Sequence, residues 1–204
     1  MAYMVKRRFL YVALILVFVF QFAHGQDTYL PNQEVRIDDL PAVKAQSKDA
    51  SAVLLAAIET VLHDKELCCG KDSALEDSVL SADPLSLQDV SVKLQGRHHL
   101  SDGRPIVVTA EYVPASSINS GELIKSLRDK HALLMQWNSH VYVLYGTNFY
   151  ETIDYSTGST TDAIRKLLLL DPRFSYERRQ ASFNRETDDW QKVQGFLRLT
   201  VALP

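Results

Sequence analysis

Two apolar runs of strand length constrain this chain most: Trp137-Asn138-Ser139-His140-Val141-Tyr142-Val143-Leu144-Tyr145-Gly146 and Lys166-Leu167-Leu168-Leu169-Leu170-Asp171-Pro172. Their β-branched, aromatic and aliphatic side chains favour strands. In an antiparallel pair the start of one strand lies beside the end of its partner, so the pattern predicts an imidazole and a carboxylate at one end of a hairpin. Pro172 lacks an amide donor and favours a strand end there. Ser156-Thr157-Gly158-Ser159 supplies the reversal between the runs. A regular ladder closed near Gly158 sets residues near Ser175 opposite His140, about four places beyond Asp171. Bringing His140 and Asp171 together therefore calls for a bulge, expected at Gly146-Thr147-Asn148. Without it, Asn138 is the competing orienting group for His140.

The rest of the chain divides by hydrophobic period. Val53, Leu54, Ala57, Ile58, Val61 and Leu62 recur at helical spacing and predict a helix over residues 50–62. A second helix is expected after Cys68-Cys69-Gly70, capped by Asp72 or Ser73, and a third over 85–94 with Leu87, Val90 and Leu94 inward, ending at Gly96. Strands are then expected at 105–113, 132–137, 140–145, 164–170, 180–183 and 196–203. A helix capped by Ser120 and a short helix at 187–193 interrupt them. Helices in the first half and mainly antiparallel strands in the second define an α+β domain.

The chain begins with Lys6, Arg7 and Arg8 and an apolar run from Phe9 to Phe20, followed by the small residues Ala23 and Gly25. This is the pattern of a secretory signal peptide over residues 1–25, cut before Gln26; a retained N-terminal membrane anchor is the alternative. After cleavage no stable membrane span is expected, and the mature protein is periplasmic or extracellular. Residues 26–48, with Pro31 and Pro41, read as an extended arm or linker in the place of a small pro-segment. Residues 49–204 then form one domain, large enough to bury a core without disulfide staples. A net charge of −3 offers no footprint for nucleic acid. Adjacent Cys68 and Cys69 staple nothing distant. No metal set is expected, because Cys68, Cys69, His63, His98 and His99 follow neither a Cys-x-x-Cys nor a His-x-x-x-His spacing. No cofactor motif stands out.

A thiol attacks as thiolate, and a cysteine at a helix N-terminus near a histidine has a lowered pKa. Cys69 stands at such a mouth. The histidine takes the proton as base and returns it as acid, while a carboxylate holds the ring in the useful tautomer. His140 and Asp171 have the residue types for those roles.

Cys69-Gly70 before Ser73-Ala74-Leu75, the His140-to-Gly146 strand and Asp171-Pro172 stand in an order that resembles the papain-like cysteine peptidases, within them the peptidase C39-like group. The resemblance spans residues 53–171. It implies a papain-like fold, N-terminal helices packed on a mainly antiparallel sheet, with catalytic Cys69, His140 and Asp171. A cysteine hydrolase acting on a peptide or protein substrate through a thioester is the activity implied. An acyltransferase or an NlpC/P60-type cell-wall peptide hydrolase shares that chemistry. The chain departs from the group in three ways, one of which is the ladder register that calls for a bulge. The oxyanion glutamine that such enzymes place before the cysteine is absent from His63-Asp64-Lys65-Glu66-Leu67, and Cys68 can pair with Cys69 in an oxidising compartment. These departures suit a further alternative, a papain-like module that binds a peptide or protein partner without turnover.

Overall fold

The computed structural model describes residues 28–40, 43–62, 86–99, 103–174, 178–182 and 188–204. The first predicted helix appears as α1, Ala50–Leu62, with Val53, Leu54, Ala57, Ile58, Val61 and Leu62 buried as the period requires. Asp49 caps it, its Oδ1 accepting the Ala52 N–H at 2.9 Å. The next described helix, α2 (Leu87–Leu94), buries Leu87, Val90 and Leu94 and is capped by Ser86. Its first amide is also held by the buried Gln136 side chain, Oε1 at 3.2 Å from the Leu87 nitrogen. Helix α3, Ser120–Arg128, starts one residue earlier than its expected cap implies. Asn119, not Ser120, is the N-cap: its backbone is extended and its side-chain oxygen accepts the Gly121 N–H, while Ser120 already has helical geometry. A single turn, α4, covers Asp188–Gln191.

Nine described strands form one sheet, and every pairing among them is antiparallel. They are β1 (Thr28–Tyr29), β2 (Gln33–Arg36), β3 (Gly96–His99), β4 (Pro105–Pro114), β5 (Leu133–Trp137), β6 (His140–Asp154), β7 (Ser159–Leu170), β8 (Arg178–Ser182) and β9 (Val193–Ala202). Seven lie in the order β3-β4-β9-β5-β6-β7-β8, while β1 and β2 also pair with β6. Helix α1 packs on β5, β6 and β9, α2 on β4 and β9, and α3 on β2, β6 and β7. The molecule is thus α+β, three helices on an antiparallel sheet. The main core contains Leu54, Ile58, Leu134, Val143, Leu169 and Phe196, all almost wholly buried.

Strand β6 runs nine residues past the expected end at residue 145, because the 26–48 arm supplies it with neighbours. Its first part pairs with β5, from Trp137↔His140 to Leu133↔Leu144. Its second part pairs with β2, from Arg36↔Gly146 to Gln33↔Phe149, and then with β1. Part of the segment read as an arm, Thr28–Tyr29 and Gln33–Arg36, therefore belongs to the sheet. Tyr145 sits at the change of partner, where its carbonyl accepts the Ile37 N–H at 2.8 Å. It is also the extra β6 residue of a bulge against β7, between Leu144↔Leu169 and Gly146↔Leu168.

Gly146 follows because there is no room for a side chain. A Cβ there would stand 2.8 Å from the Val35 carbonyl oxygen, 2.8 Å from the Arg36 Cβ and 2.9 Å from Leu168 Cδ1. Two of these atoms are fixed by β2. Gly146→Ala is expected to destabilise the fold by roughly 1–3 kcal/mol, the usual cost of overpacking, read as a lowered urea midpoint.

The outer part of the β6–β7 hairpin carries a like-charge pair, with Glu151 directly opposite Asp162. Asp162 also lines a concavity of about 600 Å³ at the N-terminus of α3 with Asn119, Ser120, Thr160 and Thr161. Burial, followed by the Glu151 charge, raises the Asp162 pKa, and Arg128 opposes them. A raised folded-state pKa means that the folded protein holds this proton more tightly than the unfolded chain. The associated stability is present below the unfolded value near 4 and is lost as pH rises through the folded pKa. Asp162→Asn should therefore gain stability over the wild type as pH increases from about 3.5 to 7. A gap between their melting curves that stays constant with pH would contradict this.

Candidate active site

His140 is the first residue of β6 and reaches the sheet edge through a two-residue reversal from β5. Asn138 (φ 50°) and Ser139 (φ 62°) both lie in the left-handed region, as a type I′ hairpin requires. The break expected at these residues is thus a tight turn that sets His140 opposite Trp137. His140 is exposed.

Asp171 follows the last residue of β7, so both residues lie at the same end of the β6–β7 pair. The expected bulge region is irregular, but the outcome differs from the expectation. Tyr145 is extra on β6, and Arg165 is extra on β7 between Asn148↔Lys166 and Phe149↔Ile164. One insertion on each strand cancels the other, so no net shift brings His140 opposite Asp171. Continuing from Val143↔Leu170 by one step places Asp171 opposite Tyr142. His140 lies two residues further along the same strand face, a diagonal separation of about 7–8 Å between backbones.

The Asp171 side chain has no solvent exposure and lies against Arg173. Arg173 Nε donates to Oδ1 at 2.8 Å and Nη2 to Oδ2 at 2.7 Å, a bidentate charge-assisted pair. The Arg173 amide also donates to Oδ1 at 3.1 Å, and the Phe174 amide donates to the Asp171 carbonyl at 3.0 Å. Asp171-Pro172-Arg173-Phe174 is therefore a turn organised by its own aspartate, just beyond the strand end expected at Pro172. These bonds raise the Arg173 pKa above its ordinary value, with burial opposing them. Nη2 further donates to the Tyr142 hydroxyl at 3.1 Å. The guanidinium stands 5.6 Å from the Tyr142 ring centroid and 5.9 Å from that of Phe174. Trp137 packs on Tyr142 from the β5 side, with ring centroids 5.6 Å apart.

Among the described residues no hydrogen bond or ion pair joins His140 to Asp171. Cys69, its neighbour Cys68 and His63 lie outside the described residues, as does the expected helix after Gly70. Asn138, the alternative orienting group, is held in the turn, its amide donating to the Lys192 carbonyl at 3.2 Å. The arm reaches this end of the sheet: the Ala45 amide donates to the Pro172 carbonyl at 2.8 Å, and Lys48 Nζ lies 5.5 Å from the Phe174 ring centroid. His98 is engaged elsewhere, one ring nitrogen 2.9 Å from the Leu94 carbonyl at the end of α2.

Arg173, Tyr142 and Lys48 were not foreseen. An arginine two places after an aspartate is a local signal for the Asx-turn pair. The contacts with Tyr142 and Lys48 have no local signal, since they join segments far apart in the chain. Truncating Arg173 would leave Asp171 buried and uncompensated, so Arg173→Ala should cost about 3–5 kcal/mol. Adding Asp171→Asn should recover part of that loss in chemical denaturation, whereas strict additivity would mean that the pair contributes no coupling.

The sequence matches no known protein-family model. It also matches no curated protein.

Proposed function

We propose that this chain is an exported papain-like cysteine hydrolase of the C39-like kind, a peptidase with Cys69 as nucleophile, His140 as base and acid, and Asp171 as orienting carboxylate. The observation that carries the reading is that His140 opens β6 and Asp171 directly follows β7 at one end of a single antiparallel pair. They share a face one pleat repeat apart, a span that an imidazole ring can help to bridge. In this mechanism His140 removes the Cys69 proton and the thiolate adds to a peptide carbonyl. The imidazolium then protonates the leaving amine as the thioester forms, and water hydrolyses that thioester with His140 again as base. An acyltransferase would differ only in the final acceptor.

A second reading is favoured by the Arg173 bonds. A carboxylate already held by a guanidinium and a backbone amide suits a structural role, and the residues before Cys69 contain no oxyanion glutamine. The chain would then be a papain-like shell that binds a peptide or protein partner without turnover. Export rests on the basic and apolar start of the sequence. Among the described residues no helix is long and apolar enough to cross a membrane.

Iodoacetamide alkylation of the reduced mature protein, followed against pH with the labelled sites mapped, separates the two readings. The hydrolase predicts that Cys69 reacts well below the free-thiol pKa of about 8.5 and that His140→Ala abolishes the low-pH reaction. Reaction of Cys69 only near that pKa, with or without His140, would assign the chain to the non-catalytic reading.

A further inference from the structure

We infer that Arg173 is the specificity-determining residue of the proposed site and selects peptides that present a carboxylate. The inference rests on the site being the place where a peptide binds, whichever of the two readings above holds. Arg173 uses one edge of its guanidinium, Nε and Nη2, to hold Asp171, and Nη2 also serves Tyr142. Among the described residues Nη1 has no hydrogen-bond partner. Its side chain is 18% exposed, whereas that of Asp171 is 0% exposed. The inner edge is thus saturated while donors remain at the surface.

The neighbourhood of those donors suits an anion. Phe174 is 37% exposed and has Arg173 on its ring at 5.9 Å and Lys48 at 5.5 Å. Two cations therefore share one partly exposed aromatic platform beside the end of the sheet that carries His140. Asp171 neutralises one guanidinium charge from inside, but Lys48 adds another on the outer side. A peptide carboxylate can accept from Nη1 and face the Lys48 ammonium, while its neighbouring apolar groups cover Phe174. The rigidity of the turn adds to the selectivity. Because the guanidinium is already fixed by Asp171 and Tyr142, little side-chain freedom is lost when the ligand binds.

Three capped tetrapeptides test the inference on the full mature protein. All are N-acetylated: one carries a glutamate with an amidated end, the second carries glutamine in its place with an amidated end, and the third is all alanine with a free C-terminal carboxylate. Binding is read by isothermal titration calorimetry for the wild type and each variant, and the Arg173 Nε–H resonance of the wild type, assigned by its loss in Arg173→Lys, locates the bound peptide. The glutamate or the free-carboxylate peptide is expected to bind at least about tenfold more tightly than the amidated glutamine peptide, on the scale of one charge-assisted hydrogen bond. The stronger of the two identifies whether a side chain or a terminus is selected. Arg173→Lys, which keeps the charge, should reduce the preference about tenfold, and Lys48→Ala, on an exposed side chain, should reduce it severalfold without disturbing the fold. Equal binding of all three peptides, absence of binding by any of them, or a preference insensitive to both variants would overturn the inference. Cys69 alkylation at low pH, run on the same samples, reports separately on hydrolysis. A carboxylate preference without thiol activation would remove the enzyme reading and leave this one standing, and thiol activation without the preference would do the reverse.

Discussion

Strand β6 holds the molecule together by pairing with the strands that flank it in sequence and with two from the start of the described chain. On one side it lies against β7 from Val143 to Asp154; on the other it lies first against β5 and then against β2 and β1. A strand of this length would expose a row of unpaired amides and carbonyls wherever a neighbour ended, so β2 has to take over close to where β5 stops. That handover explains the bulge at Tyr145, the close approach of β2 to Gly146 and the contribution of the arm to the sheet. It also fixes the end of β6 that carries His140.

The same pairing decides what stands beside what at that end. Because the bulges on β6 and β7 cancel, the ladder arrives in register with Tyr142 opposite Asp171. Tyr142 is 5% exposed and Asp171 2% exposed, so a charge brought there needs a partner. Arg173 provides it from within the same turn. The pair is short-range in sequence, yet Tyr142 and Phe174 pack beside its guanidinium, and Trp137 packs on Tyr142. Burial converts a surface turn into a fixed guanidinium with one edge inside and one outside. This is the feature on which both the non-catalytic reading and the proposed carboxylate selection depend, and it stands beside the diagonal His140–Asp171 relation that supports the hydrolase.

How much of this was legible depended on how local each signal was. The α1 face was readable because six apolar residues repeat at helical spacing over a single helix. The His140 strand and the Leu167-to-Leu170 strand were readable because fully buried strands need continuous apolar runs. The α3 cap was misplaced by one residue because Asn119 and Ser120 are both good capping types, and backbone conformation chose between them. Residues 26–48 gave no periodic signal because β1 and β2 are short and β2 alternates only between half-buried and exposed. Their pairing is a property of the β6 edge they meet.

The sequence by itself determined the α+β division, the placing of His140 and Asp171 at the same end of two paired strands, and the turn that Asp171-Pro172-Arg173 makes. Each follows from side chains close together in the chain: apolar period, turn chemistry and the missing amide of Pro172. Only the tertiary structure decided the register between the strands, the extension of β6 along the arm, and the grouping of Tyr142, Arg173, Phe174 and Lys48. The reason is that a bulge on one strand can be cancelled by a bulge on the other, and local composition does not specify the sum. Side chains from separate segments acquire their partners only when the ladder is complete.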